Sequence, residues 1–160
     1  MLSVIPPRLH RLALRLVHPL RSRLYALTKP HLRGVSVIGV DGQGRLLLVR
    51  LSYGDTLEWH LPGGGIRRSE TPEAAARREL AEEAGCEADG LSLVASFEEA
   101  VLSTQSTAYL FAGTILTAPR ADGRETLEAR FFPTHSLPVP MSARTRRRLE
   151  MWWAANRAGR

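Results

Sequence analysis

The sequence has little of what several classes of protein depend on. It contains one cysteine, Cys86, so an internal disulfide framework and a multi-cysteine zinc or iron–sulfur site are excluded. No apolar run approaches the ~18 residues of a membrane-spanning helix, because basic residues recur every few positions from Arg8 onward. A secretory signal is poorly matched, since Arg11 and Arg15 interrupt what would be its apolar region. We therefore expect a cytoplasmic protein, and its 160 residues suit one compact domain.

Acidic residues are missing from the first part of the chain. Residues 1–33 hold seven basic residues and no acid, and residues 141–160 hold six arginines against Glu150. The stretch between them is acidic, with nine arginines against fifteen acids. The net charge of +6 therefore comes from the ends. An acidic middle suits a site that collects cations better than one that follows a phosphate backbone, so we do not expect a nucleic-acid partner.

The first thirty residues read as a segment apart from the rest. Leucines at helical spacing lie between arginines, which predicts a basic amphipathic helix kinked at Pro19. Three interpretations stay open: its leucine stripe packs on the domain or on a second copy in a homodimer, the helix lies on an anionic membrane surface, or the segment is an organelle transit peptide. We divide the chain into this segment, residues 1–32, and a folded domain, residues 33–160.

The folded domain shows strand signals before and after one well-marked helix. Two apolar runs, 35–40 and 45–51, flank turn-forming residues and predict a β-hairpin. Thr71 as N-cap and Gly85 after the last turn predict a helix over 72–84. Further strands are expected at 57–61, 91–97, 107–117 and 126–132, and a terminal helix at 142–155. This order predicts an α/β (α+β) fold, a mixed sheet with helices packed against it.

Three glutamates of the predicted helix carry the chemistry. Glu79, Glu82 and Glu83 are spaced i, i+3 and i+4, so their carboxylates project from one face. Like charges this close raise each other's pKa, and the arrangement makes physical sense if a divalent cation lies between them. Oxygen-only ligands indicate Mg²⁺, with Mn²⁺ as a second choice. Taken alone, Glu82 and Glu83 could equally be part of a solvated, salt-bridged helix face.

The whole stretch from Gly64 to Cys86, GGIRRSETPEAAARRELAEEAGC, is far more specific. It resembles the Nudix box of the Nudix hydrolase superfamily: glycine, five residues, Glu, seven residues, Arg-Glu, an aliphatic residue, any residue, Glu-Glu, any residue, Gly and an apolar residue. The matching positions are Gly64, Glu70, Arg78, Glu79, Leu80, Glu82, Glu83, Gly85 and Cys86.

The resemblance implies a fold and a set of roles. It implies an α/β/α sandwich around a mixed sheet and hydrolysis of a nucleoside diphosphate linked to another group. Glu79, Glu82 and Glu83 fall on metal-binding positions, Glu79 or Glu83 on positions that handle the attacking water, and Arg78 on the orienting arginine. Reserve candidates for the base lie outside the box, at Glu98, Glu99 and Glu128.

Substrate contacts are expected around the box. The glycines at 63–65 let a phosphate approach a metal, so Gly64 is a candidate. Arg50 and Trp59 lie near strand ends that lead to the box, where one could contact phosphate and the other stack on a base. Core packing is an equally good role for Trp59. Glu128 is a further candidate for substrate binding.

Two functions follow from different classes of protein. The first is a Mg²⁺-dependent hydrolase that cleaves a diphosphate linkage in a nucleoside diphosphate derivative or nucleoside triphosphate. The second is a non-catalytic, Nudix-like module that binds a nucleotide or nucleic acid. The intact set of box carboxylates argues against the second, because a pure binder has no need of clustered like charges. A nucleotide-type small molecule is the expected partner, with peripheral membrane contact through residues 1–30 an open interpretation.

Overall fold

The computed structural model describes residues 31–101 and 104–158. Its elements are β1 (Leu32–Val40), β2 (Arg45–Leu51), β3 (Trp59–His60), β4 (Gly63–Gly65), α1 (Pro72–Ala84), β5 (Ala88–Val101), β6 (Thr104–Ile115), β7 (Thr126–Pro133) and α2 (Ala143–Ala158). The amphipathic helix expected within the first thirty residues lies outside the described residues.

Strand β1 joins the two parts of the sheet. It runs parallel to β6 and antiparallel to β4, and β5 pairs with β6 at the edge. The hairpin of β1 and β2 leads to the other part, in which β2 pairs antiparallel with β3 and β7. The order along the main path is β3-β2-β1-β6-β5. The predicted mixed sheet is confirmed.

Side chains alternate between the two faces of this sheet and form a core on each. Val37 on β1 belongs to the cluster that contains Leu80 of α1, whereas its neighbour Ile38 belongs to the cluster that contains Leu149 of α2. This period of two is what a strand buried on both faces requires. One helix therefore covers each face, which confirms the α/β/α sandwich.

The strands differ from their predicted bounds where pairing overrides local preference. Strand β5 continues through polar Glu98 and Glu99, because each has a ladder partner on β6. The glycines at 63–65, expected as a loop, form strand β4 against Gly34–Ser36. A Cβ at Gly63 would collide with the carbonyl oxygen of Val35, so only glycine allows this approach.

Among the described residues no helix is both long and apolar enough to cross a membrane.

Helix α1 has the bounds that its capping residues predict. The Thr71 side chain accepts a hydrogen bond from the Ala74 N–H at 3.2 Å, and Pro72 takes the first helical position. Gly85 adopts the left-handed conformation, with φ of 61°, and its N–H donates to the carbonyl of Ala81 at 3.0 Å. These caps fix where the box glutamates begin and end along the helix.

The N-cap gives a test of this helix. Thr71→Ala leaves one N–H of the first turn without its side-chain acceptor, so we expect the free energy of unfolding to fall by about 1 kcal/mol. Thr71→Ser keeps the hydroxyl and should stay close to wild type. Urea denaturation of the three proteins measures the difference, and equal stability of Thr71→Ala and wild type would contradict the prediction.

Candidate active site

Glu83 is a carboxyl group buried at the end of α1. It is 4% exposed, and its Oε2 accepts a hydrogen bond from the Gly63 N–H at 2.9 Å. Burial raises the pKa of Glu83 to about 8, and the negative charges of Glu79, Glu125 and Asp122 add to the shift against the one backbone hydrogen bond. A cation beside this carboxyl would oppose the shift, because it favours the ionised form.

Glu79 lies one turn earlier and rests on the glycine strand. Its side chain is 12% exposed, and burial raises its pKa against the neighbouring Arg78 guanidinium. A Cβ placed on Gly64 would lie 2.5 Å from its Oε1. Gly64 therefore provides the space that this carboxylate occupies. A Cβ placed on the neighbouring Gly65 would have no other atom within 4 Å.

Arg78 joins the carboxylates of the box. Its Nε and Nη2 donate to the two oxygens of Glu70 at 2.8 and 2.9 Å, and its Nη1 donates to Glu79 at 2.6 Å and to Glu82 at 3.0 Å. Nη2 also donates to the carbonyl of Gly65 at 2.9 Å. The guanidinium lowers the pKa of Glu70 to about 2. Arg78 thus connects the segment before the helix, strand β4 and two box glutamates.

The three box glutamates face a common cleft. It measures about 210 Å³ and is lined by Glu79, Glu82, Glu83, Asp122, Arg124 and Glu125. The last three come from the segment between β6 and β7 and were not candidates from the sequence. The pairing of β7 with β2, together with the hydrogen bond from the Arg120 N–H to the carbonyl of Ala84, brings this segment to α1. Neither leaves a spacing along the chain that could be read.

The chemistry of this cleft fits a hard divalent cation. The acids that line it offer only oxygen ligands, and buried Glu83 is a carboxyl that three negatively charged neighbours surround. Among the described residues the side chains are not gathered into a group that could already hold an ion. Glu82 is 51% exposed and pairs with Arg78 and, at 3.4 Å, with Arg67.

Arg50, Trp59 and Glu128 meet across three strands. The Arg50 Nη2 lies 2.5 Å from the Oε1 of Glu128, and its guanidinium lies over the Trp59 ring at 5.7 Å. Trp59 is 7% exposed and packs edge-on against Phe132, with ring centroids 4.7 Å apart. Core packing is the role that these contacts describe for Trp59, and stacking on a base stays a prediction.

The reserve bases on β5 have other partners. Glu98 accepts a hydrogen bond from the Thr107 hydroxyl at 2.7 Å, and Glu99 pairs with buried Arg148 of α2 at 2.7 Å. Neither is among the residues that line the cleft. Glu125, which the sequence analysis missed, does line it and faces Glu79 and Glu83.

Most of the chain matches a known protein family. A family model described as a NUDIX domain matches residues 30–153. The chain belongs to the Nudix family. The RNA pyrophosphohydrolase of Saccharophagus degradans is 50% identical over 56 residues, 34% of this chain and 32% of that protein. The chain thus spans about a third of the length of the curated relatives it matches.

Solved Nudix structures share the fold. A MutT NUDIX hydrolase from Burkholderia pseudomallei has a TM-score of 0.67 at 24% identity, covering 76% of this chain and 98% of its own. A UDP-X diphosphatase has a TM-score of 0.68 at 23% identity, covering 89% of this chain and 72% of its own. At these identities the likeness concerns the fold.

The contact of Gly64 with Glu79 gives the first test of the site. In Gly64→Ala the new methyl group displaces the Glu79 carboxylate, so we expect Mn²⁺ binding to weaken by about tenfold to a hundredfold, as when other groups that orient ligands are altered. Gly65→Ala adds its methyl group to open space and is the matched control. Titration calorimetry with the metal alone measures both, and equal affinities would contradict the prediction.

The pair of Glu70 and Arg78 gives a test by pH. The pKa of Glu70 is about 2 in the folded protein and about 4.5 ordinarily, so ionised Glu70 favours the folded state. This contribution is complete above pH 4.5 and is lost as the pH falls toward 2. We expect Glu70→Gln to be less stable than wild type at neutral pH and the difference to shrink across this window. Chemical denaturation at several pH values checks it; a constant difference would count against the ion pair.

Proposed function

We propose that this Nudix domain hydrolyses a diphosphate linkage in a nucleoside triphosphate or in another nucleoside diphosphate derivative, with Mg²⁺ or Mn²⁺ as cofactor. The observation that carries the proposal is Glu83, a carboxyl buried among Glu79, Glu125 and Asp122 at one cleft. Burying like charges together destabilises a fold unless a cation uses them. The names of two similar proteins, an RNA pyrophosphohydrolase and a UDP-X diphosphatase, describe cleavage of the same kind of bond.

The roles of the side chains follow from their positions. Glu79, Glu82 and Glu83 would hold the cation, which when bound neutralises phosphate charge and makes a water molecule more acidic. Glu79 or Glu83 accepts the proton of the attacking water, because both carboxyls lie at the cleft and a bound cation would favour their ionised form. Arg78 orients Glu79 and Glu82 through its two hydrogen bonds. Arg50 contacts phosphate after exchange of its partner Glu128.

The alternative of a binding module without chemistry has less support. A binder of anionic nucleotides gains nothing from Glu79, Glu82 and Glu83, which repel phosphate unless a cation intervenes. If such a module used acids at all, acids on the surface would avoid the unfavourable free energy of burying the Glu83 carboxyl. The buried position of Glu83 supports ligation or proton transfer, which would use a carboxyl in this place.

We propose the domain boundary at residues 32 and 33. Strand β1 begins at Leu32, and the family match begins at residue 30. The interpretations of the preceding segment, as a packing helix, a membrane-surface helix or a transit peptide, lie outside the described residues and stay predictions. So do the homodimer and the cytoplasmic location.

Glu83→Gln tests the chemistry separately from the fold. The amide oxygen can still accept from the Gly63 N–H. Because burial disfavours the ionised form of Glu83, its replacement by an amide should leave the free energy of unfolding at neutral pH equal or higher. We expect kcat to fall by about a hundredfold to ten-thousandfold, the range for loss of a general base. Glu73→Gln is the control, since Glu73 lies on the same helix and pairs with Arg77 away from the cleft.

Phosphate release measures the loss. Wild type is first screened with Mg²⁺ and Mn²⁺ over nucleoside triphosphates, nucleoside diphosphate sugars and dinucleoside polyphosphates, and the best substrate is used for the variants. Turnover of Glu83→Gln near that of Glu73→Gln would refute the role of Glu83. No hydrolysis by wild type of any of these compounds would refute the proposed function.

A further inference from the structure

Arg124 is a basic side chain in a cleft otherwise lined by acids. It lies with Glu79, Glu82, Glu83, Asp122 and Glu125 around the cleft and is exposed. In the part of the chain that the structure describes, its guanidinium has no carboxylate within ion-pair distance. An arginine beside so much negative charge would be expected to pair with it. Its guanidinium therefore lies at the cleft without being paired to the glutamates there.

A dense set of hydrogen bonds fixes that loop. The Asp122 Oδ1 accepts from the backbone N–H groups of Arg124, Glu125 and Thr126 at 2.9, 3.1 and 3.0 Å. Ser52, which is fully buried, donates its hydroxyl to the carbonyl of Arg124 at 2.7 Å and its N–H to that of Glu125 at 2.8 Å. The Arg124 N–H is thereby bonded to Asp122 within the loop, and its carbonyl to Ser52, which directly follows β2. A backbone fixed in this way holds the point from which the Arg124 side chain starts at a constant place beside the cleft.

We propose that Arg124 binds a phosphate group of the substrate, with Asp122 and Ser52 as positioning residues that hold its loop. This inference rests on the proposed function and names a phosphate-binding residue for that same cleft. A substrate with several negative charges meets repulsion from the carboxylates, and one guanidinium placed across the cleft offsets it. Arginine suits this task because its fork of N–H groups matches two phosphate oxygens.

The two arginines near the glutamates have different duties on this view. The N–H groups of Arg78 donate hydrogen bonds to Glu70, Glu79, Glu82 and the carbonyl of Gly65. The N–H groups of Arg124 are available to a phosphate that enters the cleft. Substrate affinity should therefore depend on Arg124, whereas turnover of the bound substrate should depend on the box residues.

The test compares Arg124→Ala with Arg120→Ala. Both arginines belong to the segment between β6 and β7 and both are exposed, but Arg120 does not line the cleft. We expect Arg124→Ala to raise KM by about tenfold to a hundredfold, the range for loss of a hydrogen bond to a charged group. Its kcat should stay within about threefold of wild type, since the residue acts mainly on binding. Arg120→Ala should match wild type in both.

Binding of an uncleavable analogue gives a readout apart from turnover. Titration with a methylene-bridged nucleotide and Mg²⁺ should show the same loss of affinity in Arg124→Ala and a weaker dependence of Kd on salt. Arg124→Lys should recover part of the affinity through its charge. Ser52→Ala should weaken binding in the wild-type background and have no further effect when combined with Arg124→Ala, because a positioning residue acts through Arg124.

Three outcomes would overturn the inference. These are equal KM and Kd for the two alanine variants, a fall in kcat with unchanged KM in Arg124→Ala, and full additivity of Ser52→Ala with Arg124→Ala. Thermal unfolding of every variant excludes a general loss of structure. If wild type binds the analogue yet cleaves no diphosphate, the proposed function fails, and the affinities still decide the role of Arg124.

Discussion

The burial of Glu83 is the constraint around which the site is arranged. Its carboxyl is 4% exposed and lies near three other acids, and burial raises its pKa to about 8. Glu82 and Glu83 also stand in the last turn of α1, where the helix dipole disfavours negative charge and which contains no basic residue. Such a position is unfavourable for the helix by itself. It persists because the packing of α1 on the sheet fixes the residue there.

That packing depends on small residues on both sides. Helix α1 buries Ala75, Ala76 and Ala84 against the sheet, so its axis can approach closely. The residues of strand β4 that face this helix are glycines. The Gly63 N–H donates to Glu83, and Gly64 leaves room for the carboxylate of Glu79. Larger residues at these positions would separate helix and strand. The positions of the carboxylates therefore depend on close contact between the backbones of helix and strand. The strand also supplies the Gly63 N–H that donates a hydrogen bond to Glu83.

Local signals explain which features could be predicted. The bounds of α1 and the common side of its three glutamates depend on caps and on spacing within one helix, and the structure has both as expected. The cleft residues Asp122, Arg124 and Glu125 could not be found in this way. They reach α1 because β7 pairs with β2 and because the Arg120 N–H donates to the carbonyl of Ala84 at the end of α1. Long-range pairing of this kind leaves no spacing in the sequence to read.

The same pairing distributes charge across the cleft. One wall is the acidic end of α1, whose glutamates suit a cation, and the other is the loop before β7, which holds Arg124 on a backbone fixed by Asp122 and Ser52. A diphosphate carries negative charge on the oxygens of both phosphate groups, so the single cation proposed among the glutamates would leave part of that charge uncompensated. An arginine on the facing wall compensates it without competing for the carboxylates. The separation of the two walls lets one cleft attract a cation and an anion together.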